Sequence, residues 1–350
     1  MINTVSPHRR RLALAAGSAI ALWQLPGLAQ SASHRIAFLS GGSKSDVAGF
    51  LATFLEGMAQ LGYRPGRNLI VDARYAEYSS ERATALAREI AALKPALVVA
   101  NGGGIGPACR LSPPLPVVFL ISGDPVDAGF ANSHARPGRN ATGVTLLALD
   151  LIVKRLELFK EIDPGIRKIA FLASPEHAGQ KLELAASRAA AAQLGMEVTY
   201  HEARTPAELA AALPAVLAAK PHAALLFSDA LMVGQRDNLA RFFLKHRIPS
   251  AAGWVAFAEA GHLVSYGPER HAVWRRLAYF ADRIIKGTRP GELPIELPSV
   301  MELAVNRRTA AAMGLKVPSS VLVRADKVVD TSPVGQKESS STSSPTRTSS

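Results

Sequence analysis

Short polar loops that directly follow apolar runs are where this chain carries its chemistry. Ser40-Gly41-Gly42-Ser43 closes one such run and Asn101-Gly102-Gly103-Gly104 closes another. Glycines let the backbone come close to a bound molecule, and a helix start behind them offers N–H donors to an anion. Asn101 adds an amide that both donates and accepts. For Ser40, Gly41 and Gly42 an ordinary strand-to-helix turn explains the same residues, and both readings stand. Neither loop ends in Gly-Lys-Ser/Thr and neither is GxGxxG, so a nucleotide cradle is not indicated. A third loop begins at Asp124-Pro125. Asp124 either accepts from a ligand ammonium or caps the turn that Asp-Pro favours. Ser174, Asp229 and Trp254 each fall just past a later apolar run. Asp229 is a charge partner, while Trp254 is a stacking surface or an ordinary half-buried aromatic. Tyr266, within Ser265-Tyr266-Gly267-Pro268, suits a hinge or a ligand contact.

Catalytic and metal chemistry find little support. The nine histidines show no HxxxH pairing with a carboxylate, and no GxSxG elbow occurs. Cys109 is the single cysteine, which excludes an intramolecular disulfide, a Cys-rich zinc site and a two-thiol racemase. It reads as a small buried residue near a helix start or as a reactive thiol. The net charge is +12, and without Arg9, Arg10 and Arg11 it is about +9. The remaining bases are scattered singly, with no basic run interleaved with aromatics, so no nucleic-acid footprint is present. No cofactor is expected.

To hold these loops, the chain alternates β-branched runs with Ala- and Leu-rich helical stretches. Strands are expected at Arg35–Ser40, Leu69–Tyr75, Leu97–Asn101, Val117–Ile121 and Thr142–Leu147, with helices near Ser45–Leu61, Ser80–Leu93 and Gly103–Arg110. Gly62 ends the first helix and Ser79 opens the second. A second cycle follows a helix at Leu151–Ile162. Its strands are Lys168–Leu172, Met196–His201, Ala223–Phe227, Ile248–Ala252 and Leu263–Tyr266. Its helices are Glu176–Leu194, Pro206–Ala219, Gly234–His246 and Glu269–Lys286. A last strand, Met301–Asn306, and a short helix, Arg307–Met313, complete the pattern. Repeated βαβ units predict an α/β protein with parallel sheets and right-handed crossovers.

The two ends read differently. Residues 1–31 have a basic start, an apolar stretch from Leu12 to Leu25 that is short for a membrane span, and small residues at Ala29 and Ser31. They read as an export signal cleaved after either small residue, which places the mature chain in the periplasm. The paired arginines also fit twin-arginine export loosely. Residues 331–350 are Ser/Thr-rich and nearly free of apolar side chains, and read as a disordered tail.

Several motifs carry a family resemblance. They are Leu61-Gly62-Tyr63, Asp124-Pro125-Val126, Ala135–Gly143, Ser265–Pro268, Lys286–Pro298, Glu302–Asn306 and Arg324–Asp330. Together, in unbroken order over about residues 34–330, they resemble the ABC-transporter substrate-binding family related to TrpX-type proteins. The resemblance implies a type I periplasmic-binding-protein fold, with two Rossmann-like lobes joined by three crossovers closing on a small solute. It assigns 32–146 with about 267–300 to one lobe, and 147–266 with about 301–330 to the other. It further implies a monomer that hands its solute to an ABC permease; some relatives are associated with aromatic amino acids. The loops Asn101–Gly104 and Ala173–His177 depart from the family's usual residues at positions expected to face the solute. An extracytoplasmic ligand-sensing module on the same fold is the alternative role, and an exported hydrolase or isomerase a third.

Overall fold

A computed structural model describes residues 33–146, 148–175 and 180–330. The expected export signal, the tail from residue 331, and Glu176 and His177 lie outside the described residues. The first lobe begins with β1 (His34–Ser40), α1 (Lys44–Gln60), β2 (Leu69–Tyr75), α2 (Ser80–Ala92) and β3 (Leu97–Asn101). A 3-10 turn at Gly102–Gly104, α3 (Ile105–Cys109), β4 (Val117–Ile121) and β5 (Ala141–Thr145) follow. These strands form an all-parallel sheet in the order β2-β1-β3-β4-β5.

After α4 (Ala148–Ile162) the chain builds a second sheet through β6 (Lys168–Ala173), α5 (Gln180–Gln193), β7 (Glu197–Glu202), α6 (Pro206–Ala218) and β8 (Ala223–Leu226). It continues through α7 (Ala230–Gly234), α8 (Arg236–Lys245), β9 (Ser250–Ala252), α9 (Val255–Ala260) and β10 (Val264–Pro268). The helix α10 (Arg270–Ile285) then returns to pack on α1 and on the first sheet. Finally β11 (Met301–Asn306), α11 (Arg307–Met313), α12 (Ser319–Arg324) and β12 (Lys327–Val329) complete the second sheet. Its order is β12-β11-β10-β9-β8-β6-β7, and only the β10–β11 pair is antiparallel. The chain therefore passes between the sheets three times: after β5, after β10 and before β11.

Side-chain alternation explains why each sheet is covered on both faces. In β1, Ile36 and Phe38 face α1 and α10, whereas Ala37 and Leu39 face α2 and α3. In β6, Ala170 and Leu172 point to the core shared with α6 and α8, and Ile169 and Phe171 to the core beneath α4. Strands buried on both sides read as continuous apolar runs, as parallel sheets require. Helix starts are fixed by side-chain caps. Ser79 accepts from Arg82 N–H at 3.1 Å and Thr205 from Glu208 N–H at 3.1 Å. Gly143, at φ +147°, sits in β5 where a Cβ would overlap the Phe119 backbone.

Four expectations need correction. The helix expected at Gly103–Arg110 is split into the 3-10 turn and α3. The one expected at Gly234–His246 is preceded by α7, because Asp229 caps a new turn and Gln235 breaks it from α8. The strand at Thr142–Leu147 ends at Thr145. The short elements α9, α12 and β12 were not expected. No helix among the described residues is long and apolar enough to cross a membrane.

Candidate functional site

Loops at the carboxyl ends of strands from the two lobes line common cavities. Gly41 donates its N–H to the Asn101 carbonyl at 3.1 Å, and Ser40 Oγ accepts from Gly42 N–H at 3.2 Å. A Cβ on Gly41 would overlap the Gly103 backbone, and one on Gly104 would stand 2.6 Å from the Leu39 carbonyl. The glycines thus let the β1 and β3 loops touch. That same contact leaves Asn101 6% exposed at the end of its strand.

Among the described residues, the small cavities between the lobes include two at these loops. One, of about 50 Å³, is walled by Phe50, Asn101, Leu120 and Leu146 from the first lobe and by Ser228, Asp229, Val233 and Trp254 from the second. The other, of about 30 Å³, lies between Gly41, Tyr78 and Gly103 on one side and Ser174, Arg204 and Asp229 on the other. Gly102, Asp229 and Ala230 border both. An outer groove of about 430 Å³ shares Phe50, Val233 and Trp254 with the first cavity. The Phe50 and Trp254 rings, 5.7 Å apart, therefore form the wall between the inside and the groove. Phe50 is held in turn by stacking on Trp274 of α10 at 5.3 Å.

The polar lining is unusual in its bonding. Asn101 Oδ1, Ser228 Oγ and Trp254 Nε1 are buried at the first cavity without a hydrogen-bond partner. Buried polar atoms are normally paired, because leaving one unpaired costs about 1–3 kcal/mol. Here residues carrying an unpaired acceptor, donor and hydroxyl line one space, bounded otherwise by Phe50, Leu120, Leu146 and Val233, with Ser228 Oγ lying against Gly253. Asp229 plays a double role beside them. Its Oδ1 accepts from Met232 N–H at 2.9 Å as the N-cap of α7, and its Oδ2 accepts from Ser174 N–H at 2.8 Å. Tyr78 donates to the Asp46 carboxylate. Burial, with that carboxylate beside it, pushes the Tyr78 hydroxyl well up, so it remains a donor.

Of the residues singled out from sequence, Gly41, Asn101, Gly102, Gly103, Ser174, Asp229 and Trp254 border one or both cavities. Gly42 packs against the rim, where its Cβ would meet that of Ala230 at 3.2 Å. Ser40 is wholly buried behind the loop. Asp124, Pro125 and Tyr266 border neither cavity. Asp124 accepts from Val126 N–H at 2.7 Å and faces His134 Nε2 at 3.0 Å. Burial raises its carboxyl, but these hydrogen bonds outweigh that and hold it below the ordinary value. The Pro125 carbonyl accepts from Phe130 N–H at 2.8 Å. The Tyr266 ring packs in the core of the second lobe, and its carbonyl accepts from Arg155 Nε at 2.8 Å. Sequence reasoning missed Phe50, Tyr78, Leu146 and Ser228. Only Ser228, one residue from Asp229 at the end of β8, carried a positional signal. Cys109 lies away from the cleft, its thiol pushed up to about 12 by burial. Among the described residues, no group of three or more His, Cys, Asp or Glu could hold a metal ion.

A family model described as ABC transporter substrate binding protein matches residues 36–329. The chain belongs to that family. A tyrosine-binding protein of Clostridioides difficile is 22% identical over 265 residues, spanning 75% of this chain and 76% of that protein. The crystal structure of a conserved domain protein from Vibrio cholerae superposes with a TM-score of 0.78 at 23% identity, covering 85% of this chain and 99% of that one. An ABC domain from Streptococcus pneumonia, solved in complex with L-Trp, gives a TM-score of 0.76 at 22% identity, covering 85% of this chain and all of that one. The likeness to these structures shows the two-lobed α/β fold. The cavities walled by both lobes are the candidate site, since small-molecule pockets occur preferentially at domain interfaces.

Proposed function

We propose that this chain captures a zwitterionic amino acid with an apolar side chain between its lobes and delivers it to an ABC permease as part of an importer. The carrying observation is the cavity at which Asn101 Oδ1, Ser228 Oγ and Trp254 Nε1 are all buried without a partner. An acceptor beside the Asp229 carboxylate suits an ammonium, and a hydroxyl beside an indole N–H suits a carboxylate. Phe50, Leu120 and Leu146 offer the apolar wall. The tyrosine-binding relative and the L-Trp complex support the same solute class.

The mechanism is docking followed by closure. Cavities of about 30 and 50 Å³ admit waters but not an amino acid, so the lobes part for entry and then close around the solute less far than in this solute-free form. In this reading residues 32–146 with about 267–300 move as one body, and 147–266 with about 301–330 as the other. Closure desolvates both ends of the solute and pairs the three orphaned atoms, so the closed state gains what the open state lacks. A micromolar affinity corresponds to about −8 kcal/mol, within reach of a few charge-assisted hydrogen bonds and one apolar contact. The protein works as a periplasmic monomer, with its export signal cleaved near Ala29 or Ser31, and does no chemistry on the solute. Calorimetry with the twenty amino acids tests the solute class: binding by L-tyrosine, L-tryptophan or another apolar member is expected, and silence across the panel refutes it. Uptake of the bound amino acid by a deletion strain tests the importer role, which unchanged uptake would overturn.

A further inference from the structure

The lobes touch where bulk is least. Gly234, at the end of α7 in the second lobe, lies against the side chains of Asp46 and Tyr78 in the first. A Cβ built on Gly234 would stand 2.5 Å from Asp46 Cγ and 2.8 Å from Tyr78 Oη, where ordinary contact begins at 3.4 Å. The backbone does not call for glycine there, since Gly234 is not among the residues with positive φ. Space calls for it.

The opposing pair is itself braced. The Asp46 carboxylate accepts from Tyr78 and from Ser43, and Asp46 N–H donates back to Ser43 Oγ at 3.3 Å as α1 begins. Tyr78 stands in a left-handed conformation, φ 65°, pinned by its N–H on the Gly41 carbonyl at 2.8 Å. Neither side chain can retreat from a new methyl group without giving up these bonds.

We propose that the Asp46–Tyr78 pair and the bare Cα of Gly234 are the contact stop that sets how far the lobes close when no solute lies between them. Residue 234 is then a positioning residue: it touches no solute, but its volume fixes the width of the cavity one helix turn away. This rests on the reading of lobes that open and close, and not on which solute they hold.

A disulfide trap measures closure with no solute present. In a Cys109→Ser background, Gly42→Cys and Ala230→Cys place two thiols where the Cβ atoms lie 3.2 Å apart in the closed form. That is close to the spacing of about 3.5–4.5 Å that a disulfide takes. The parent pair should cross-link under mild oxidation. Adding Gly234→Ala should slow the cross-link about tenfold or more, which converts to ~1.4 kcal/mol against closure, the low end of overpacking costs. Adding Asp46→Ala to that variant removes the nearer obstruction and releases the Tyr78 hydroxyl from its bond, so it should restore the rate to that of Asp46→Ala alone. The result expected is slowing followed by recovery, with melting temperatures recording that each variant is folded. A parent that does not cross-link, an unchanged rate with Gly234→Ala, or no recovery on removing Asp46 would each overturn the proposal. Failure of L-tyrosine and L-tryptophan to bind in calorimetry would instead count against the solute class alone.

Discussion

Replacing Trp254 by Phe should separate a binding role from a packing role, because the two predict opposite patterns. The indole N–H is buried and unpaired at the cavity, while its ring lies against Phe50. Removing an unpaired N–H relieves about 1–3 kcal/mol in the solute-free closed form. Shrinking indole to phenyl forfeits about 1.5 kcal/mol of burial, at ~0.8 kcal/mol per CH2 equivalent. These terms nearly cancel, so the unfolding free energy should stay within about 1.5 kcal/mol of wild type. Binding has no such compensation. The lost N–H to a charged solute oxygen is worth about 1.5–3 kcal/mol, or roughly tenfold to a hundredfold in affinity. Urea melts of the solute-free protein and calorimetry with L-tryptophan and L-tyrosine read the two quantities on one sample. A variant that loses more than about 3 kcal/mol of stability, the range of cavity-forming core mutations, yet binds as tightly as wild type would show Trp254 to be core alone and refute the reasoning.

Three further outcomes are expected. His262 is fully buried between Ser250 Oγ at 2.8 Å and the Arg236 carbonyl at 3.0 Å, and desolvation pushes its imidazole from 6.5 down to about 4. The unfolded chain therefore takes up the proton first, and about 3 kcal/mol of stability present above pH 6.5 is lost as pH falls toward 4; His262→Gln should flatten that slope in urea melts, and a parallel slope would refute it. Asp229→Ala removes the α7 cap and the acceptor for Ser174, so it should cost about 1–3 kcal/mol in melts and weaken solute binding at least tenfold; unchanged affinity by calorimetry would remove it from the site. Cys109, its thiol raised to about 12 by burial, should resist a thiol reagent at pH 8 until the protein is denatured; rapid labelling of the folded protein would contradict this.

The long elements were legible because both of their periods are local. In Ile36-Ala37-Phe38-Leu39 every residue is apolar because both faces of β1 are covered, and such a run bounded by polar loops reads as a buried strand. The 17-residue helix α1 is likewise bracketed by Ser43 and Gly62. The short elements escaped because nothing local fixes them. Lys327–Val329 is a strand through its ladder with β11, and Ser319–Arg324 is a helix despite Val321 and Val323. At the site, the loops after β1, β3 and β8 were legible from position alone, since strand ends gather ligands in open sheets. Phe50 was not, because its spacing on α1 is that of a core residue and its second neighbour, Trp254, is 204 positions away in sequence. Asp124 shows the converse: an acid at a strand end that borders neither cavity and whose Oδ1 accepts from its own loop and faces His134.

The three passages between the sheets have one more consequence. Two bodies tied at three points cannot slide or shear without pulling a tie taut, whereas swinging about the line of the ties stretches none of them. In the proposed closure the lobes therefore swing about a single soft angle. Closure costs the protein only the freedom of that angle, while the solute gives up its own translation and rotation.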